Sequence, residues 1–230
     1  MKIRFLSLTA LALMASLAIM LANSSSEARR YGNHPKSKAG VFDYYSLVLS
    51  WSPTYCDSNA GRRDRLQCGR NRRFSFVVHG LWPQYEKGWP QNCRVQKGEF
   101  YIPRKTIDGM LDIMPSKRLV IHEWKKHGTC SGLGNKDYFA LIRKLYNSVK
   151  IPVRFQKANS FITTTPQQLE AAFIKENKGM DASMISVQCG RRKRLKEIRI
   201  CFDKNQNLRS CGSNERRECR ARQLVLPPVR

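Results

Sequence analysis

The sequence predicts an α+β fold: a single domain with a central, mainly antiparallel sheet packed with helices and stabilised by disulfides. Three observations carry that reading. Short strand patterns are mixed with helical ones, without the repeating strand-helix-strand rhythm that a parallel sheet requires. About 200 residues follow an N-terminal apolar run, enough for one sizeable core, and no internal repeat or Pro- or Gly-rich linker divides them. All eight cysteines, Cys56, Cys68, Cys93, Cys130, Cys189, Cys201, Cys211 and Cys219, fall in that stretch.

The N-terminus supplies the context for those cysteines. Lys2 and Arg4 precede an uncharged apolar run from Phe5 to Leu21, and small polar residues follow. This is the layout of a secretory signal peptide over residues 1–22, with Ala22 or Ala28 as the residue before cleavage. The run is short for a permanent span, so no stable membrane insertion is expected after its removal, and the chain is expected to be secreted or periplasmic. Disulfides are then the default state of an even cysteine count, although counting alone leaves the pairing open. No CxxC pair occurs, which argues against a zinc ribbon or a thioredoxin-like redox site.

A polar segment over residues 23–40 leads into the folded domain, residues 41–230. Phe42 to Trp51 reads as a strand stopped by Ser52-Pro53. Cys56 and Cys68 bracket an arginine-rich loop. Phe74 to Val78 reads as a second strand, with Phe74, Phe76 and Val78 on one face and His79 at its end on the other. Gly80-Leu81-Trp82-Pro83 is expected to break that strand, and Gly88-Trp89-Pro90 forms a second aromatic turn. Helices are expected over Ile107 to Met114, closed by Pro115, and after Ser116 as N-cap with Gly128 as stop. Two more are expected over Lys136 to Val149, opened by Asn135, and from the Thr165/Gln168 capping box to about Asn177. Met184 to Gln188 and Leu195 to Phe202 read as the last strands, the second with imperfect alternation.

The helix that carries His122-Glu123-Trp124-Lys125-Lys126-His127 concentrates the chemistry. At roughly 100° per residue, His122, Lys126, Glu123 and His127 fall at about 0°, 40°, 100° and 140° on a helical wheel, while Trp124 and Ile121 point away. Two imidazoles, a carboxylate and an ammonium thus share one arc. A metalloprotease-type zinc helix places its histidines at i and i+4; here they are one residue further apart, so no metal is expected. Glu123 and His127 do have the i, i+4 relation, and a carboxylate at that spacing is expected to orient the imidazole and raise its pKa.

Charge narrows the class of partner. There are 42 Lys and Arg against 17 Asp and Glu, a net charge of +25, an excess that attracts polyanions and speeds their encounter. Nucleic acid is the expected partner, ahead of anionic lipid or cell-surface polymers. Basic residues cluster at Arg62 to Arg73 and at Arg191 to Arg199. Trp82 and Trp89 lie in turns near basic groups, where indoles can stack on unpaired bases. Two other classes remain on composition alone, a metal-dependent phosphoesterase and a cationic polyanion-binding or membrane-active protein without a reaction.

Two segments carry a resemblance. Phe76-Val77-Val78-His79-Gly80-Leu81-Trp82-Pro83 and His122-Glu123-Trp124-Lys125-Lys126-His127-Gly128-Thr129-Cys130 resemble, in that order, the two active-site segments of the ribonuclease T2 family of secreted acid endoribonucleases, which includes plant S-RNases. Leu47 to Cys56 is similar to the family's first strand, and Ile198 to Asp203 to a late one. The resemblance implies a metal-independent and cofactor-free endoribonuclease, a monomer, that cleaves single-stranded RNA and leaves a 2',3'-cyclic phosphate and a 5'-OH. It implies His127 as base, His79 as acid, His122 as a phosphate-positioning group, and Glu123 with Lys126 as stabilisers of the intermediate. Trp82 would stack on the scissile base and Gln84 would face its edge. It also implies the pairs Cys56 with Cys68, Cys93 with Cys130, Cys189 with Cys219, and Cys201 with Cys211. Leu119 departs from the aromatic that the family often places three residues before the first helix histidine. His34, in the polar segment, is given no part.

Overall fold

The computed structural model describes residues 37–230 apart from 97, 216–218 and 230. The expected signal peptide, most of the polar segment and His34 lie outside the described residues. Four antiparallel strands form the main sheet: β1 (Tyr44–Trp51), β2 (Phe76–Gln84), β4 (Ile185–Cys189) and β5 (Leu195–Phe202), in the order β2-β1-β5-β4. A small antiparallel pair joins β3 (Ile162–Thr164) to β6 (Leu224–Leu226). Around them lie α1 (Ser52–Cys56), α2 (Arg65–Cys68), α3 (Arg104–Asp108), α4 (Lys117–Lys126), α5 (Asn135–Ser148), α6 (Val153–Gln156) and α7 (Pro166–Glu176). This is the α+β architecture expected. Among the described residues, no helix is long and apolar enough to cross a membrane.

The core follows the strand period. Tyr45, Leu47, Leu49 and Trp51 of β1 join Ile185 and Val187 of β4 and Ile198, Ile200 and Phe202 of β5 in one buried cluster. Val120 and Trp124 of α4, Tyr138, Phe139, Ile142 and Leu145 of α5, and Leu169 and Phe173 of α7 complete it. The alternate residues of β1 and β5 point to the sheet's other face, where cross-strand pairs are Ser50 with Glu197, Val48 with Arg199 and Ser46 with Cys201. That face is the more polar one: Ser46 and Glu197 are fully buried on it, and Ser50 and Arg199 are partly buried.

Several boundaries differ from the sequence expectation. β1 begins at Tyr44, and β2 begins at Phe76 rather than Phe74. More consequentially, β2 does not break at Gly80; it continues through Leu81, Trp82 and Pro83 to Gln84. Proline is admissible there because β2 is an edge strand, so the missing N–H removes no ladder bond on its open side. The helix expected over Ile107 to Met114 lies earlier, as α3, and residues 109–113 are turns. α1, α2 and α6 are too short to leave a helical periodicity in the sequence. The capping box is present as expected: Thr165 Oγ1 accepts from Gln168 N at 3.1 Å, and Gln168 Oε1 accepts from Thr165 N at 3.1 Å.

The disulfides are Cys56–Cys68, Cys93–Cys130, Cys189–Cys219 and Cys201–Cys211. Cys93–Cys130 links the loop after β2 to the 3-10 turn (Gly128–Cys130) that follows α4. The same two segments are joined by Asn92 N donating to Lys126 O at 2.8 Å. Closing a chain separation of 37 residues restricts the unfolded chain by about 4 kcal/mol in the loop-entropy account. Replacing Cys93 and Cys130 together by Ser is expected to lower unfolding stability by roughly 2–5 kcal/mol, read as the urea midpoint under oxidising conditions. An unchanged midpoint would show that this link contributes nothing.

Candidate active site

The site begins with a register shift in β2. Val48 pairs with Gly80 and the next residue, Leu49, pairs with Val78, so His79 has no partner across the ladder. One extra residue reverses the alternation beyond it. Phe76 and Val78 before the bulge and Leu81 after it therefore all reach the core, while His79 and Trp82, three apart, meet edge to face with ring centroids 5.3 Å apart. The His79 ring lies over the polar face of the sheet. Its Nδ1 is 3.4 Å from Ser50 Oγ and 3.4 Å from Glu197 Oε2.

α4 brings the second group. It starts after Ser116, whose extended backbone occupies the N-cap position without a side-chain cap bond, and it ends at Lys126 with His127 as C-cap. Trp124 is buried against Tyr138 and Phe139, with centroids 5.7 and 6.5 Å away; Ile121 is only partly buried. With that anchor, Glu123 is turned toward β2. Its Oε2 accepts from Trp82 Nε1 at 2.7 Å, and its Oε1 lies 3.7 Å from His79 Nε2. Gly80 makes this approach possible, because a Cβ there would stand 2.0 Å from Glu123 Oε2 and 2.7 Å from Trp82 Nε1.

His127 differs from the sequence expectation. It is buried and stacks on Trp82, with centroids 4.9 Å apart and an interplanar angle of 20°. Among the described residues its buried Nδ1 has no hydrogen-bond partner, because the Glu123 carboxylate is engaged by Trp82 and His79. The pKa of His127 is consequently pushed down to about 3, first by burial and then by the positive charge of Lys126, His79, His122 and Arg199. The i, i+4 spacing to Glu123 does not raise it. Burial pushes Glu123 upward, opposed by His79, by the Trp82 hydrogen bond and by Lys126.

The other site residues are placed unequally. His122 is exposed on a cleft of about 890 Å³ that it lines with Arg63, Arg65, Lys117, Arg118 and Leu119; its pKa is lowered by burial, then by Lys126 and His79. Lys126 is half-buried and within electrostatic range of Glu123, His122 and His127. Trp82 is stacked on His127, and the Arg199 guanidinium lies 5.0 Å from its ring centroid, so this indole is part of the framework rather than a free platform for a base. Gln84 is buried, and its Oε1 accepts from Asn214 Nδ2 at 3.0 Å; this geometry does not present it to a base edge. Trp89 is 52% exposed.

Sequence reasoning missed Ser50, Glu197 and the part of Arg199. Glu197 is fully buried, and its Oε1 accepts from Arg199 Nη2 at 2.7 Å and Nε at 3.1 Å. The available signal was one carboxylate inside a basic run, on the strand face opposite Ile198 and Ile200. Among the described residues, no group of three or more His, Cys, Asp or Glu side chains has an arrangement that would hold a metal ion.

Two outcomes follow from this geometry. Gly80→Ala is expected to break the Trp82–Glu123 bond and cost roughly 1–3 kcal/mol of stability, read as a denaturant midpoint; an undisturbed midpoint would mean that the close approach is relaxed in solution. The depressed pKa of His127 also makes stability depend on pH. Between about 3 and its ordinary value of 6.5 the unfolded chain binds a proton there that the folded chain refuses. This contribution is therefore fully present above 6.5 and lost as pH falls toward 3, by about 1.4 kcal/mol per pH unit. Glu197, held at about 2, adds acid sensitivity only below the ordinary carboxylate range, and Glu123 acts in the opposite sense. Denaturation measured at pH 6 and pH 5 should show a shallower loss for His127→Asn than for the unaltered protein, and equal slopes would contradict the burial of a neutral ring.

The sequence profile described as the Ribonuclease T2 family matches residues 42–211. A ribonuclease of Aeromonas hydrophila is 41% identical over 124 residues, 52% of each chain. A probable ribonuclease of Haemophilus influenzae is 32% identical over 190 residues, 77% of this chain and 63% of that one. The chain thus spans about half to under two thirds of the length of these relatives. Among solved structures, RNase NT in complex with 5'-AMP is 27% identical with a TM-score of 0.52, over 75% of this chain and 96% of that one. The profile match includes the strand that delivers His79, the helix that carries Glu123 and the turn that fixes His127, and by it the chain belongs to the ribonuclease T2 family.

Proposed function

We propose that this chain is a secreted or periplasmic endoribonuclease that cleaves single-stranded RNA by metal-independent transphosphorylation. One observation carries the reading: a buried neutral imidazole, His127, and a second imidazole, His79, flank the same Trp82–Glu123 hydrogen bond. Cleavage without a metal needs a base for the ribose 2'-OH, an acid for the departing 5'-oxygen and cations for the charge that builds on phosphorus. His127, its pKa held down by burial, is unprotonated at mildly acidic pH, the form a base for the 2'-OH proton must start in. The 2'-oxygen attacks phosphorus, the bond to the 5'-oxygen breaks, and His79 protonates that oxygen. The products are a 2',3'-cyclic phosphate and a 5'-OH end.

His122 is assigned to positioning the phosphate, and Lys126 with Glu123 to stabilising the intermediate and the protonation states. The cleft lined by Arg63, Arg65, Lys117 and Arg118 supplies phosphate contacts that require no base sequence. Trp89, open to solvent, is the indole left available for stacking. The four disulfides and the N-terminal apolar run support export, and the basic excess supports a polyanionic substrate; no cofactor and no partner subunit enters the scheme.

His79→Ala and His127→Ala should each lower turnover by about 10²–10⁴-fold with circular dichroism unchanged, and His122→Ala should lower it less. A folded variant of either of the first two that keeps more than about a tenth of the activity would remove the assignment, given the usual size of proton-transfer effects. Cleavage should persist in EDTA, and a fully 2'-O-methylated oligonucleotide should resist. Loss in EDTA would point to a metal-dependent phosphoesterase. Binding of RNA without any change in its length would point to a polyanion-binding protein.

A further inference from the structure

The polar face of the sheet holds a fully buried carboxylate that the reaction scheme does not use. We propose that Glu197, clamped by Arg199, is a positioning residue that fixes the tautomer and orientation of the His79 ring. This rests on the reading of His79 as the acid and deepens it.

Glu197 pairs across strands with Ser50, directly beneath the bulge that carries His79. Its Oε1 is taken by two N–H groups of Arg199, at 2.7 and 3.1 Å. Its Oε2 is left facing His79 Nδ1 at 3.4 Å, with Lys196 Nζ 3.5 Å from the same oxygen. Arg199 is itself held, because Glu215 Oε1 lies 3.8 Å from its Nη1 and its guanidinium sits over Trp82. Glu215 is buried and accepts from the Tyr44 hydroxyl. The carboxylate therefore has no freedom to swing away from the ring. Burial alone would raise its pKa; the His79 hydrogen bond and the charges of Arg199 and Lys196 outweigh burial and hold it at about 2. It is ionised wherever the protein is folded and working.

An ionised carboxylate at Nδ1 favours the tautomer with the proton on Nδ1. Nε2 is then the nitrogen that carries the transferable proton. When the doubly protonated ring gives its Nε2 proton to the departing 5'-oxygen, the N–H bond breaks, an O–H bond forms as the P–O bond opens, and the ring is left neutral with Nδ1–H bound to Glu197. The other groups around the ring are Ser50 from β1, Trp82 on its own strand, and Glu123, His122, Lys126 and His127 on or beside α4. Asp64 lines the same small pocket as His79. Among the described residues Ser50 is the only other group in hydrogen-bonding contact with Nδ1, and a hydroxyl can serve either tautomer; Glu123 Oε1, 3.7 Å from Nε2, is beyond hydrogen-bond distance, so the carboxylate of Glu197 decides.

The test has two arms. Long-range ¹H–¹⁵N spectra of the unaltered, disulfide-bonded protein at a pH where the ring is neutral should show His79, assigned by its loss in His79→Asn, with the proton on Nδ1. A ring protonated on Nε2 would overturn the proposal without any variant of Glu197. In the second arm, Glu197→Gln should lower kcat by roughly 10–100-fold while KM changes less than about threefold, and its spectra should show the neutral His79 ring no longer fixed with the proton on Nδ1. Glu197→Asp should recover most of kcat and the original tautomer. A folded Glu197→Gln with unchanged kcat and tautomer would overturn the proposal. Where that variant does not fold, the spectrum of the unaltered protein decides alone. If His79→Ala remained active, the function itself would fall; if His79 is required and Glu197 is dispensable, only this inference does.

Discussion

The bulge at His79 is the constraint on which the site depends. A regular ladder would place His79 and Leu81 on one face of β2 and Val78, Gly80 and Trp82 on the other. The unpaired residue opposite Val48 and Leu49 lets Val78 and Leu81 both reach the core and leaves His79 and Trp82 side by side above the polar face. Gly80 follows the bulge with no side chain, and into that gap come the carboxylate of Glu123 and the indole N–H of Trp82. Chain geometry, packing and proton chemistry meet at three consecutive positions, His79, Gly80 and Leu81.

The two imidazoles are treated differently by their surroundings. His79 has a carboxylate near each nitrogen, Glu197 at Nδ1 and Glu123 at Nε2. His127 has an indole on its face, cations around it and no acceptor at Nδ1. Desolvation and neighbouring cations disfavour a charged His127 ring, whereas the His79 ring is held between two carboxylates. Burying Glu123, Glu197 and Glu215 on or near one sheet face is costly in itself, and the fixed partners Arg199, Trp82 and Tyr44 offset that cost while restricting motion.

The basic excess is likewise divided. Arg63, Arg65, Lys117 and Arg118 line the cleft beside His122, Lys117 also pairing with Asp108. Arg194 pairs with Asp57, Lys196 and Arg199 with Glu197, and Arg209 with Glu86. Half of the second basic run, Arg194, Lys196 and Arg199, is thus tied into the framework, while Arg191, Arg192 and Lys193 are exposed.

Local pattern made much of this legible. Apolar spacing placed β1, β5, α5 and the capping-box helix to within a few residues, and the two histidine segments identified the family, because periodicity and motif are properties of neighbouring residues. The sequence alone did not reveal that β2 runs on through Gly80, that Glu123 faces Trp82 rather than His127, or that Gln84 is buried under Asn214. Each is settled by a contact between distant parts of the chain. His79 and Glu197 are 118 residues apart, and a hydrogen bond across that separation depends on strand order and on a single unpaired residue in one ladder, neither of which leaves a mark on local spacing.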